Sequence, residues 1–287
     1  MSIEVAGETA PARRRLRLSG TAWVGASIVG FWIAMAIGGP WLAPYDQGTL
    51  VSDNVFDPIG SRFLLGTDYL GRDMLSRLLA GARTTLGLAG VATALAIFIG
   101  APLGMLAAVI GGWVDMALSR AVDALLSIPT LLFGLVIVAA IGSYIPVLLL
   151  AAALAYAPGH FRLARALSMD MNVMDFVEVA RARGESHWWI ARQEILPNIV
   201  MPLLTDFGLR FVFVVLFLSG LSFLGLGVQP PDADWGAMVR ENLAGLSYGY
   251  AAALVPATAI ASLTIGINLV VDSLSARAGR DISRDGA

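Results

Sequence analysis

The chain has 287 residues, of which 57% are hydrophobic and only 14% charged. Its mean hydropathy of +0.75 is far above that of a soluble domain, where apolar residues make up about 45–50%. Cysteine is absent, which excludes disulfides and thiolate chemistry, and all 19 basic residues are arginine. The chain therefore has no lysine for a phosphate-cradling P-loop or a Schiff base, and its formal charge of −2 carries no nucleic-acid signature.

An apolar bilayer core of roughly 30 Å needs about 20 mostly apolar residues per helix. Six stretches qualify, near 22–42, 85–110, 121–141, 145–167, 199–227 and 250–271. The first follows Arg13, Arg14, Arg15 and Arg17. It is too long for a signal-peptide core and contains Trp23 and Trp32, so it reads as an uncleaved anchor. With the N-terminus placed in the cytoplasm, the inside segments hold thirteen arginines and the outside segments five. That asymmetry predicts both termini inside. The chain then divides into a cytoplasmic N-terminal segment 1–21, a six-helix membrane domain 22–273 and a cytoplasmic tail 274–287. Within the domain lie an outside segment 43–84, a cytoplasmic loop 168–198 and an outside loop 228–249. Residues 111–115 form a short cytoplasmic turn. Pro102 and Pro129 stand where they would kink helices. The small residues Gly100, Gly104, Gly220, Gly225 and Gly227 allow close helix approach.

In the outside segment, Gly66, Thr67, Asp68, Gly71, Arg72 and Asp73 predict a tight turn at a helix start, with Thr67 or Asp68 as N-cap and a local Asp68–Arg72–Asp73 network. Paired carboxylates invite a metal reading, but no histidine accompanies them and arginines neutralise them. A structural turn near an outer gate fits better.

The segment Glu178–Pro197 is a charged island between apolar spans. Val177, Ala180, Arg181 and Gly184 share one helical face. Gly184 suits a C′ position with positive φ, Ser186 suits the next N-cap, and Pro197 ends the segment. A small-faced helix flanked by charges fits a groove on a partner protein. It equally fits a helix on the headgroups with Trp188 and Trp189 as anchors. The residues alone leave the two readings balanced.

Asp206 and Arg210 are charged residues inside the fifth span, where a charge costs about 2.5–3.5 kcal/mol on insertion scales. At i,i+4 they form either a structural pair with Arg210 reaching toward the interface or a lining that meets charged substrate termini. His160, at the end of the fourth span, and His187, in the island, read as interfacial or structural and give no metal site.

Motifs along the chain then decide between the readings of the island. Glu178, Ala180, Gly184, Leu196 and Pro197 keep the spacing of the EAA loop of importer-type ABC transporter permeases, with Val179 and Glu194 departing from it. Leu65–Arg77 followed by Gly81–Arg83, the Gly111–Asp115 turn with Asp123 and Pro129, Leu221–Pro231 with Asp234–Gly236, and Leu42–Asp46 resemble the C-type permeases of dipeptide, oligopeptide and nickel importers. The resemblance runs from about Arg13 to Asp272.

That resemblance implies an all-α integral membrane protein with six transmembrane helices and the type I ABC importer permease fold. It implies a bacterial inner-membrane location and a non-catalytic subunit without a nucleotide-binding motif or cofactor, ATP and Mg being bound by partners. Those partners are a B-type sister permease, two cytoplasmic ATPase subunits, an extracytoplasmic solute-binding protein and membrane lipid, without nucleic acid. Glu178, Ala180, Arg181, Arg183, Gly184, Leu196 and Pro197 would meet the ATPase, joined by Arg192. The implied function is ATP-driven import of di- or oligopeptides by alternating access, or of nickel chelates, glutathione or opines. An ion-coupled carrier is the rival of another class. It would need inverted repeats or intramembrane acidic relays, of which only Asp206 is visible.

Overall fold

A computed structural model describes residues 20–285. The predicted inside arginines Arg13, Arg14, Arg15 and Arg17 lie outside the described residues, and so do the side chains of Arg277, Arg280 and Arg284. The described chain is helical. Its elements are α1 (Gly20–Leu42), α2 (Met74–Ile110), α3 (Gly112–Leu126), α4 (Thr130–Ile141), α5 (Ile145–Met171), α6 (Asp175–Ala182), α7 (His187–Trp189), α8 (Leu196–Phe223), α9 (Trp235–Asn242) and α10 (Leu254–Asp285). Among the described residues, five stretches are long and apolar enough to cross a membrane, and six if the bent pair α3–α4 counts as one.

The third span is broken at Pro129, where the sequence places a kink. α3 and α4 meet at 84°, and the break falls at residues 127–129. Proline disfavours helical geometry in the residue before it, so the helix stops ahead of Pro129 and restarts after it. Helix α4 has 12 residues, about 18 Å at 1.5 Å per residue, too short to cross alone. Pro102 behaves differently: α2 runs through it without a break. There α2 is clamped against α5. A methyl group on Gly100 would strike Ala157 O, and one on Gly104 would strike Phe161 O. The predicted 111–115 turn shrinks to the positive-φ glycines Gly111 and Gly112, because α3 already starts at Gly112. The predicted tail continues as helix, since α10 extends to Asp285.

Helices α1, α2, α5, α8 and α10 enclose the main core. At its centre Trp235 is fully buried. Its indole Nε1 donates to Leu78 O at 3.0 Å, and its ring meets that of Trp32 edge-on at 4.8 Å. Trp32 Nε1 in turn donates to Ser262 Oγ at 2.9 Å. A buried tryptophan needs a partner for its N–H, and both find one here. A second core lies at the far end of α2, where Ala101, Met105 and Val109 meet Ala164, Val177, Ala180, Ile190, Ile195 and Ile199. The two ends of α2 thus carry the two polar regions of interest.

Candidate functional site: two helix-end motifs and an intramembrane ion cluster

At the C-terminal end of α2, the chain leaves α5 and forms α6, a turn and α7. Val177 and Ala180 are fully buried and pack into the second core. This reverses the expected use of the small face: Ala180 turns toward the chain's own bundle, and so does Val177. The apolar side chains facing outward include Val173, Met174, Phe176 and Val179, with Glu178 exposed beside them. Gly184 has φ +81° and stands in open space. Its N–H reaches Arg181 O, and Glu185 N–H reaches Ala180 O at 3.2 Å. This is the glycine-terminated C-cap the sequence predicts. Ser186 Oγ accepts from Trp189 N at 3.2 Å, the predicted N-cap.

Pro197 does not end this segment. α7 passes through a π-helical turn, Ile190–Ile195, into α8 without interruption, and Leu196 N–H bonds Ala191 O. Proline clashes with the carbonyl four residues back and lacks the N–H that would bond it, so widening the turn just ahead of Pro197 lets the helix continue. Leu196 is half-buried and Pro197 exposed.

The arginines here are not equally free. Arg181 Nη2 donates to Asn172 Oδ1 at 2.5 Å and to Val109 O at 3.5 Å, tying α6 to the ends of α5 and α2. Arg183 lies over the Trp189 ring at 5.7 Å, with Nη2 3.9 Å from Glu194 Oε1. Glu194, one of the two departures from the family spacing, thus faces a charge across the turn. Val179, the other, is 56% exposed. Arg192 is exposed.

At the N-terminal end of α2, Asp73 caps the helix, accepting from Ser76 N at 2.8 Å and Ser76 Oγ at 2.6 Å. The N-cap is therefore Asp73 rather than Thr67 or Asp68. Thr67 Oγ1 instead accepts from Asp57 N at 2.7 Å. Asp68 is wholly buried. It accepts from Leu70 N and Arg72 N, each at 2.9 Å, and pairs with Arg72 at 2.7 Å and Arg77 at 2.5 Å. Glu241 on α9 closes the set, 3.1 Å from Arg72 and 2.8 Å from Arg77. Gly66 and Gly71 take positive φ, making the turns around it. Two acids and two arginines pair with one another out of water, as buried charges must, with Arg77 Nε alone of their buried atoms left without a partner among the described residues. Sequence reasoning found Asp68 and Arg72 but missed Arg77 and Glu241. Glu241 lies 169 residues from Arg72, beyond any local pattern. Among the described residues no acidic or histidine group is arranged to hold a metal.

Midway along the bundle, Arg210 Nε donates to Asp206 Oδ2 at 2.8 Å, the predicted i,i+4 pair. Of the two readings of His160, interfacial or structural, the structure takes the second, and places it mid-helix rather than at the end of the span. It is fully buried within α5, not at an interface, and its Nδ1 lies 2.6 Å from the same Asp206 oxygen. The ring N–H does not point along that line, and neither ring nitrogen has a directed hydrogen bond among the described residues. The Arg210 guanidinium packs against Gly159, where a methyl group would overlap it. His187, by contrast, is exposed.

A bundle of long apolar helices with a polar helix–turn–helix at one end, a buried ion lock at the other and charges in the middle defines the membrane subunit of a transport system. Residues 100–284 match the family model described as "Binding-protein-dependent transport system inner membrane component", and residues 10–58 match the "N-terminal TM domain of oligopeptide transport permease C". The chain belongs to this family of inner-membrane transport permeases. It is 35% identical over 266 residues to the glutathione transport system permease protein GsiD of Escherichia coli O157:H7, covering 91% of this chain and 86% of the relative. It is 33% identical over 243 residues to GsiD of Pectobacterium atrosepticum, covering 84% and 81%. In fold it is similar to a solved chain of the MetNI methionine ABC transporter, with a TM-score of 0.55, 21% identity and coverage of 75% of this chain and 98% of that one.

Proposed function

We propose that this chain is the C-type permease of an ATP-driven importer, working beside a B-type sister permease, two cytoplasmic ATPases and an extracytoplasmic solute-binding protein. It binds no nucleotide itself; ATP and Mg belong to the ATPases. The observation that carries this reading is the build of the 172–197 segment. Its inner face, Val177 and Ala180, is locked into the core shared by α2, α5 and α8. Its outer face presents Val173, Phe176 and Val179. A segment anchored on one side and apolar on the other can transmit a push from a docked partner to the helices that carry it. In this reading Glu178, Arg183, Gly184, Arg192 and Pro197 border the ATPase. Ala180, Arg181 and Leu196 act from behind, holding the segment to the bundle. The Gly66–Asp73 turn and its ion lock form a rigid element at the outer end. Asp206 and Arg210 line the substrate path. Its substrates are small peptides, including glutathione, as the names of its relatives indicate.

The test is Gly184→Trp in the purified, assembled complex. The expected result is loss of transport and of substrate-stimulated ATP hydrolysis while all subunits still co-purify. Full activity would defeat the coupling assignment.

A further inference from the structure

The Arg210 guanidinium is pinned rather than free to reach the membrane surface. Its Nε is held by Asp206 at 2.8 Å. Its Nη edge lies over Gly159, where the missing side chain makes the room it occupies. Gly159 is in the middle of α5, and Arg210 is in the middle of α8, so the charge sits deep between the ends of both helices. Asp206 is in turn backed by the wholly buried His160, whose Cβ packs against Gly100 of α2. The partners of the guanidinium thus come from two helices, and a third backs them.

Two facts make this more than a structural pair. The Arg210 side chain is 23% exposed while Asp206 is 10% and His160 0% exposed. The positive group is therefore the outermost of the three. Among the described residues, neither Nη has a hydrogen-bond acceptor. A charge with unmet donors is not stable against acyl chains, and at membrane depth such groups face protein or a water-filled path. A guanidinium with Nε held and both Nη groups without an acceptor is the geometry that takes a carboxylate, since its planar donors are already oriented.

We propose that Arg210 is a specificity-determining residue that reads a free carboxylate of the transported solute, with Asp206, Gly159 and His160 as the positioning residues that hold it. The proposal rests on the importer reading and adds a chemical class of substrate: small solutes with a terminal carboxylate, free peptides among them.

The test compares uptake of a free-acid dipeptide with its C-terminal amide in proteoliposomes holding the complete importer. The binding protein is the same throughout, so a change in the acid-to-amide ratio between permease variants reports on the permease alone. In Arg210→Gln the ratio is expected to fall about tenfold, the scale of one charge-assisted hydrogen bond. Gly159→Ala, which displaces the guanidinium while keeping its charge, should lower the ratio in the same direction. Arg210→Lys, a point charge without the planar fork, should lower it less than Arg210→Gln. Should Arg210→Gln fail to co-purify with its partners, Asp206→Asn/Arg210→Gln, which removes both buried charges, carries the same comparison. An acid-to-amide ratio unchanged in assembled, transporting variants overturns the proposal and leaves the importer reading standing. A wild-type complex that moves neither compound and shows no substrate-stimulated ATP hydrolysis overturns the importer reading itself.

Discussion

At the scale of single residues, burial decides what a charge does. Asp68, Arg72, Arg77 and Glu241 are nearly inaccessible, so each has meaning only with its partners present. Removing one partner of a buried pair strands the other, which costs about 3–5 kcal/mol. Glu241→Gln is therefore expected to lower the melting temperature of the purified protein sharply, read by tryptophan fluorescence in detergent. A wild-type melting temperature would contradict the lock. Asp234, the N-cap of α9, shows the opposite case. Burial pushes its carboxyl above the ordinary carboxylate range, against the hydrogen bonds from Ser222, Gly236 and Ala237. A carboxyl with a raised folded-state pKa binds its proton more readily folded than unfolded. Its stabilisation is complete below the unfolded value and is lost as pH rises through the folded value. Asparagine caps as well as aspartate, so Asp234→Asn is expected to keep the cap and remove this part of the decline with pH. A melting profile in which wild type and variant fall in parallel would contradict it.

At the scale of elements, α6 shows why the same residues support two readings in a sequence. Periodicity places Val177 and Ala180 on one face. It does not say whether that face meets the chain's own bundle or another protein. The structure turns it inward, against Ala164, Met105 and Val109. The two faces should then separate by measurement. Ala180→Leu overfills a site with no free space and is expected to destabilise by about 1–3 kcal/mol, seen as a lower melting temperature. Phe176→Ser is expected to leave the melting temperature near wild type and to lower stimulated ATP hydrolysis in the assembled complex. The reverse pattern would mean that the outward face serves the fold. The prolines carry the same lesson. Pro129 breaks a helix that is not buried against its neighbours: α3 has no buried residue, although Asp115 and Asp123 pair with Arg165 and Arg162 of α5. Pro102 leaves α2 intact because close glycine contacts with α5 hold the helix together on both sides of it.

At the scale of the whole molecule, the proposed orientation puts the 172–197 segment in the cytoplasm and the 43–73 segment outside. The absence of cysteine makes this directly testable. Single cysteines at Val173→Cys and Asp53→Cys, both at exposed positions, are expected to differ in intact cells. A membrane-impermeant maleimide should reach the second at once and the first only after permeabilisation. Labelling in the reverse order would invert the topology and remove the coupling reading with it.

What the sequence determined by itself follows from rules that act over short distances. Long apolar runs marked the spans because a bilayer demands about 20 apolar residues in a row. Gly184 and Ser186 were readable as caps because a cap depends only on its own few residues. The i,i+4 spacing of Asp206 and Arg210 predicted their pairing for the same reason. Tertiary structure decided the rest. It brought Glu241 to Asp68, Arg72 and Arg77 across more than 160 residues, chose the buried, structural reading of His160 over the interfacial one, turned Ala180 inward, and laid Arg210 on Gly159. Each of these depends on which helices lie side by side. That is set by close packing among α2, α5 and α8 and leaves no mark on the local pattern of any one of them.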